Sequence, residues 1–539
     1  MSPWRPVIPS MSETEQQVPK CQRPSNLEGT QDKERKMDQA EDIVVGLVKG
    51  VEFHARANPA KDCLIFDDRV IDFDQFSTGT TEMARALTGR GFSAGDRIAV
   101  LAQASPLFFE LLFAAAKANL ILVPINNRLS VREVGDVLAD AGPRLLIVAD
   151  EYLHLVDGQG PWEVVAEHDL GSWVAAQSVA VLPLDRSPDD PMLILYTSGT
   201  TGIPKGVVLT ERNLSYLCRM ARDLWEFSAD STNLVSTPLF HIGGIGWGLL
   251  ALSQGGRTVV ARDTVPEALT ELMRRHRITH AFMVPTVIQR LVDFIDAQNV
   301  EPPAIEHLFY GAAPIGDALL RRAIAAFGCQ FHHVYGMTET AGTVVTLDPA
   351  DHDPDGPNIH RLQSCGKPMP WVEIAIVDPD SGKALESGAV GEVRLRSDAI
   401  TRGYWRKDEE SAKAITADGW LCTGDAGELD ADGYLYLRDR YKDMIVSGGE
   451  NIYPKEIENV LQFHPAVLEV AVIGVPHEKW GETPLAIVVL RPGFSATADD
   501  IMEFTRRHLA RYKAPSRVEF RESLPRNASG KVMKHVLRA

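Results

Sequence analysis

The chain contains no Cys-x-x-Cys pair. Its six cysteines, Cys21, Cys63, Cys218, Cys329, Cys365 and Cys422, lie far apart in 539 residues. Such spacing suggests neither a zinc site nor a disulfide framework and fits a reducing compartment. No run of about 18 uncharged apolar residues occurs, which removes a transmembrane segment, and the beginning of the chain lacks the apolar stretch of a secretory signal. The closing "LRA" is not a peroxisomal address. Positive charge is scarce as well: 55 Lys and Arg stand against 73 Asp and Glu, a formal net charge of -18. Nucleic-acid binding draws most of its affinity from basic side chains on phosphates, so no nucleic-acid partner is expected, and an anionic ligand has to be met by local positive sites. The expectation is a soluble cytoplasmic protein, with peripheral membrane contact and oligomeric state left open.

What is present is an ordinary globular composition, 45% hydrophobic and 24% charged, enough for two or more domains. Residues 1–38, rich in Pro, Gln, Glu, Ser and Lys, lack apolar periodicity and read as a disordered extension. Short strands then alternate with helices. Phe76, Met83 and Leu87 form a helical stripe ahead of the strand "RIAVL", and "LFFELLFAAAKA", apolar nearly all round, reads as a buried helix. Ser130 with Glu133 makes a capping-box pattern before a helix with Val134, Val137, Leu138 and Ala141 on one face. The rhythm continues through "MLILY", "TVVA", "HAFMV", "HLFY" and "FHHVY". It predicts an α/β fold: a large domain over 39–438 with mainly parallel sheets flanked by helices, including a β subdomain from about 365. A smaller α/β domain over 444–539 follows, its first helix beginning at Pro454.

The stretch "YTSGTTGIPKG" packs three glycines, three threonines, a serine and Lys205 into eleven residues. Glycines allow tight turns and close backbone approach, while N–H groups, hydroxyls and an ammonium all suit phosphate oxygens. The Walker P-loop does not fit, because Pro204 precedes the lysine and Gly206 follows it. The strand-like Val207–Val208–Leu209 after the loop predicts a link between two strands, and the loop lies at the carboxyl end of "MLILY", where parallel sheets bind ligands.

Further stretches follow in order: "TPLFHIGG" at 237–244, "YGAAP" at 310–314, "YGMTET" at 335–340, "TGD" at 423–425, "DRYKDMIVSGGENIYPKEIE" at 439–458 and "PRNASGK" at 525–531. With the Gly/Thr-rich loop they resemble the core motifs of adenylate-forming enzymes, the superfamily of acyl-CoA synthetases, luciferases and peptide-synthetase adenylation domains. The resemblance runs from about residue 40 to the end. It implies a carboxylic acid, ATP, Mg²⁺ and coenzyme A as reaction partners. The acid attacks the α-phosphate to give acyl-AMP and pyrophosphate, and a thiol then displaces AMP.

By that resemblance Thr197, Ser198, Gly199, Thr200, Thr201, Gly202 and Lys205 hold the ATP phosphates, and Thr197 with Glu339 holds Mg²⁺, a cation that favours oxygen ligands. Gly311, Ala312, Ala313 and Pro314 border adenine on one side, with Tyr335, Gly336 and Thr338 on the other. Asp425 and Arg440 suit the ribose hydroxyls. Lys531 is expected to swing onto the reacting carboxylate and α-phosphate. An ammonium about 4 Å from developing charge gains roughly 4 kcal/mol at an effective dielectric near 20, or about a thousandfold in rate. Lys442 occupies the hinge, within 439–443, and Gly448 and Gly449 leave room for the pantetheine arm. His241 is expected to gate and position the acyl group rather than act as a base. The acyl pocket is expected to involve His241, Gly243, Gly244, Gly311 and Met337, with Gly246 and Gly248 also lowering wall volume in favour of a long or bulky group.

The flanking residues in "DMIVSGGENIYPKEIE" and "LARYKAP" resemble those of medium- and long-chain fatty-acid ligases, so a fatty acid–CoA ligase is the leading expectation. Aryl or alicyclic acids, an acyl-carrier protein as acceptor, a luciferase-like oxygenase and a non-catalytic nucleotide- or acyl-binding scaffold are the alternatives. Retention of Glu339 and Lys531 speaks against the scaffold.

Overall fold

A computed structural model of the chain describes residues 46–538 apart from 157–159, 179, 183–185, 198–203, 314, 441–442, 448–449 and 527–531. The extension expected at 1–38 thus lies outside the described residues. The expected alternation of apolar strands and helices produces two large sheets before residue 370. A six-stranded sheet runs in the order Glu163–Ala166, Leu145–Val148, Arg97–Leu101, Ile121–Pro124, Pro191–Thr197, Lys205–Thr210, parallel except for the last strand. A nine-stranded sheet has a parallel centre and antiparallel strands at both edges. One core cluster takes side chains from both sheets, such as Val100 and Leu195 from one and Val260 and Phe309 from the other.

Helix Leu107–Lys117 lies in this core with nine of its eleven residues buried, as its unbroken apolar surface requires. The capping box at Ser130 forms as read: the Ser130 amide donates to Glu133 Oε2 at 2.8 Å, and the Glu133 amide donates back to Ser130 Oγ at 3.4 Å. It opens helix Val131–Ala141, which buries Val134, Val137, Leu138 and Ala141.

The β subdomain begins slightly later than expected. Lys367–Pro368 is the edge of the nine-stranded sheet, and the separate four-stranded antiparallel sheet starts at Glu373–Val377 and ends at Leu435–Arg440. The next strand, Ile445–Ser447, belongs to a different five-stranded sheet with Glu450–Ile452, Val467–His477, Gly481–Leu490 and Arg517–Phe520. This last sheet carries helix Pro454–Leu461, which buries Ile457 and Leu461, and forms the smaller C-terminal domain. Among the described residues no helix is long and apolar enough to cross a membrane, and the five described cysteines are unpaired.

Candidate active site

The Gly/Thr-rich loop sits on an antiparallel hairpin, with Thr197 opposite Lys205 and Tyr196 opposite Gly206. It therefore joins two strands and opens no helix. Ser198, Gly199, Thr200, Thr201 and Gly202 lie outside the described residues. At the hairpin's base only glycine fits position 206, because a Cβ there would stand 2.7 Å from Ile194 Cγ2 and 3.1 Å from the Tyr196 ring. The Tyr196 hydroxyl donates to Asp140 at 2.7 Å, and burial together with that carboxylate raises the phenol's pKa.

Alongside strand Lys205–Thr210 runs the segment 401–405, which belongs to none of the motifs above. The Trp405 amide donates to the Gly206 carbonyl at 2.7 Å, Val208 N–H donates to the Gly403 carbonyl at 3.2 Å, and the Thr401 amide donates to the Glu339 carbonyl at 2.7 Å. These bonds place Tyr404 between the hairpin and the "YGMTET" turn. Its hydroxyl donates to Glu339 Oε1 at 3.0 Å, and Lys205 Nζ stands 5.0 Å from the centre of its ring. The aromatic pair in "TRGYWRK" follows Gly403, whose φ is +139°.

Strand Gln330–Met337 carries Tyr335 and Met337, and the 3₁₀ turn Thr338–Thr340 presents Glu339, only 8% exposed. Tyr335 reaches across to the β subdomain, its hydroxyl donating to Asp425 Oδ2 at 2.7 Å. Asp425 is buried and is the cross-strand neighbour of Arg440, whose side chain lies outside the described residues. Gly336 packs against the Gly342 carbonyl so closely that a Cβ would lie 1.9 Å away. The turn after strand His307–Gly311 holds Ala312 at φ +61°, and Ala341 after the Glu339 turn is at +53°. Left-handed alanines cost energy and cluster where backbone serves a ligand. Pro314 lies outside the described residues, as do Lys442, Gly448, Gly449 and Lys531.

His241 stands at the N-terminal boundary of helix Ile242–Ser253, its side chain making no capping hydrogen bond. It is half-buried, its Nε2 is sealed from solvent with no hydrogen-bond partner among the described residues, and desolvation and then Arg128 push its pKa down to about 4. At neutral pH it is an uncharged ring with an open polar atom, which suits contact with a ligand better than stockpiling a proton. The neighbouring Ile242 lies 3.8 Å from the Cβ position of Gly342, so this helix start abuts the Glu339 turn.

The glycines after His241 stand in close contacts with neighbouring elements. A Cβ on Gly244 would lie 2.1 Å from the Pro238 carbonyl, on Gly246 2.9 Å from Ile242, and on Gly248 2.3 Å from the Phe109 ring. Their missing side chains permit close helix packing. Gly243 faces the Phe282 ring at 3.2 Å, and Gly311 the Val334 carbonyl at 2.2 Å.

Among the described residues no group of three His, Cys, Asp or Glu converges as a metal cage. Glu339, a buried carboxylate, and the Thr197 hydroxyl are the oxygen groups that these two segments offer. These are hard oxygen donors of the kind Mg²⁺ accepts when substrate phosphates complete its shell.

Comparison with known proteins bears on the family and the fold. The model of the AMP-binding enzyme family matches residues 51–405, and that of the AMP-binding enzyme C-terminal domain matches 456–531. The chain is 38% identical over 504 residues to a fatty acid–[acyl-carrier-protein] ligase, ScoC, of Streptomyces coeruleorubidus, covering 91% of this chain and 96% of that one. It is 34% identical to a feruloyl-CoA synthase of Amycolatopsis sp., covering 90% and 96%. Among solved structures, o-succinylbenzoate CoA synthetase (MenE) from Bacillus subtilis, in complex with its acyl-adenylate intermediate, superimposes with a TM-score of 0.81. The identity is 30%, over 91% of this chain and 98% of that one.

Proposed function

We propose, for a chain that belongs to the AMP-binding enzyme family and is thereby an acid–thiol ligase working through an adenylate, that the acid is a fatty acid and the thiol is coenzyme A. The observation that carries the site assignment is that one strand and its turn, 330–340, link both halves of it. Tyr335 meets Asp425, while Glu339 meets Tyr404 and, across its ring, Lys205. The fatty-acid choice draws on the flanking sequence and on the acid named for ScoC.

In this reading a carboxylate oxygen bonds to the α-phosphorus while the bond to pyrophosphate breaks. Two anions must approach, so the site has to screen charge. Thr197, Lys205 and the loop between them hold the β- and γ-phosphates. Glu339 and Thr197 would hold Mg²⁺, which when bound neutralises phosphate charge. Tyr335 and the 311–314 turn flank adenine, and Asp425 with Arg440 accepts and donates at the ribose. Lys531 supplies a cation to the reacting oxygens. The small domain then turns about Lys442, withdrawing Lys531 and admitting pantetheine past Gly448 and Gly449. Its sulfur, giving up its proton to solvent, bonds to the acyl carbon, and AMP leaves with the electron pair of the broken C–O bond. In support, the chain passes from the four-stranded to the five-stranded sheet between Arg440 and Ile445, the place a hinge requires.

Transfer to the pantetheine of an acyl-carrier protein is the second reading, favoured by the activity named for ScoC. Acid-dependent ATP–pyrophosphate exchange across fatty, aryl and alicyclic acids, followed by thioester assays with coenzyme A and with a loaded carrier protein, separates the readings. Greatest exchange with a fatty acid and thioester on coenzyme A are expected. Preference for an aryl acid overturns the substrate, product only on the carrier overturns the acceptor, and no exchange with any acid favours the scaffold.

A further inference from the structure

Asp140 stands in the last turn of helix Val131–Ala141, outside every motif above. Its two oxygens hold two different segments of the candidate site: Oδ2 accepts the Tyr196 hydroxyl at 2.7 Å, and Oδ1 accepts from Lys407 Nζ at 3.0 Å. Tyr196 immediately precedes Thr197 and packs against Gly206. Lys407 closes a tight turn on Tyr404, its amide donating to the Tyr404 carbonyl at 3.2 Å. The Asp140 and Lys407 side chains are only 24% and 20% exposed, so water competes weakly with the pair. Between these residues Trp405 is covered by two cations, with Arg97 and Arg406 each 5.3 Å from its ring. The carboxylate therefore sits at the junction of the helix, the hairpin and the 401–407 segment.

We propose that Asp140 is a positioning residue for adenylation: by gripping Tyr196 and Lys407 together it sets Thr197 and Lys205 in register with Tyr404 and Glu339, and through them fixes ATP. The inference rests on reading the hairpin as the phosphate cradle. A carboxylate suits this task because it accepts from a neutral hydroxyl and a cation at once. An amide in its place keeps an acceptor for Tyr196 but offers Lys407 no charge.

The test uses the full chain in acid-dependent ATP–pyrophosphate exchange, with KM for ATP and KM for the acid measured separately beside thermal melting. Asp140→Asn, Tyr196→Phe and Lys407→Met are each expected to raise KM for ATP on the order of tenfold while moving KM for the acid less than about twofold. Tyr196→Phe should also have a smaller effect in the Asp140→Asn background than alone, since both act through one carboxylate. Tyr196→Phe deletes a single oxygen, so it stays informative if an Asp140 variant does not fold. A lowered melting temperature with KM for ATP unchanged, or an equal rise in both KM values, overturns the proposal and leaves Asp140 a fold-stabilising residue. Absence of exchange in the unmodified chain with every acid overturns the cradle reading itself, and this inference with it.

Discussion

Three tyrosine hydroxyls each donate to a carboxylate around the candidate site: Tyr335 to Asp425, Tyr404 to Glu339 and Tyr196 to Asp140. A hydroxyl orients a carboxylate without cancelling its charge, which leaves Glu339 able to meet a cation and Asp425 able to accept from a ribose. Tyr404→Phe keeps the ring beneath Lys205 but removes the bond to Glu339. The Mg²⁺ concentration for half-maximal exchange is expected to rise about tenfold, the cost of one hydrogen bond to a charged group. An unchanged Mg²⁺ titration would show that Glu339 does not depend on Tyr404 for its orientation. Tyr335, Glu339 and Asp425 could be picked out in the sequence because each stands in a compact motif. Tyr404 and Asp140 could not, since their partners lie 65 and 56 residues away and the bonds exist only once the sheets have formed.

At the scale of elements, apolar runs such as "MLILY" and "HAFMV" announced buried strands, and the strands Pro191–Thr197 and His280–Met283 bear that out. Strand partners were not legible, nor was the irregular 401–405 segment, because alternation of residue types records burial and not neighbours. The nine-stranded sheet shows a further consequence of register. Parallel pairing aligns His280 with His307, whose rings stack at 4.5 Å, while His332 stacks on Phe309 at 4.2 Å and approaches His307 at 3.2 Å. Burial, with neighbouring histidines adding to it, pushes His280 down to about 3 and His332 to about 2. His333, half-buried, and His352, buried, are pushed by desolvation to about 4. Their folded values lie below the unfolded value of 6.5, so the unfolded chain binds more protons between them. Stability is therefore full above pH 6.5 and declines as pH falls towards 4, by about 1.4 kcal/mol per pH unit for each such histidine. Denaturant unfolding at pH 5 and pH 7 should reveal this proton uptake, and His332→Gln should lower it by about one proton at pH 5. Unaltered uptake would mean that His332 is already protonated in the native protein.

For the whole molecule, the question is how one site runs two half-reactions. The flanks of the segment bearing Lys531 are firmly held: Arg526 pairs with Glu469 at 3.0 Å, Lys534 with the buried Glu458 at 2.8 Å, and Arg538 with Asp443 at 2.9 Å. Asp443 directly follows the proposed hinge residue Lys442, so hinge and lysine segment are tied to the same small domain. If Lys531 swings with that domain as proposed, its cation serves one half-reaction and is withdrawn for the other. Lys531→Ala is thus expected to slow acyl-AMP formation by about a thousandfold, the screening lost near the phosphate. Thioester formation from supplied acyl-AMP should be nearly untouched. Lys442→Pro, whose ring restricts the backbone torsion that a hinge must change, should spare acyl-AMP formation and slow thioester formation. Single-turnover measurement of each half-reaction in both variants decides the matter, because a static C-terminal domain predicts that each substitution depresses the two halves equally.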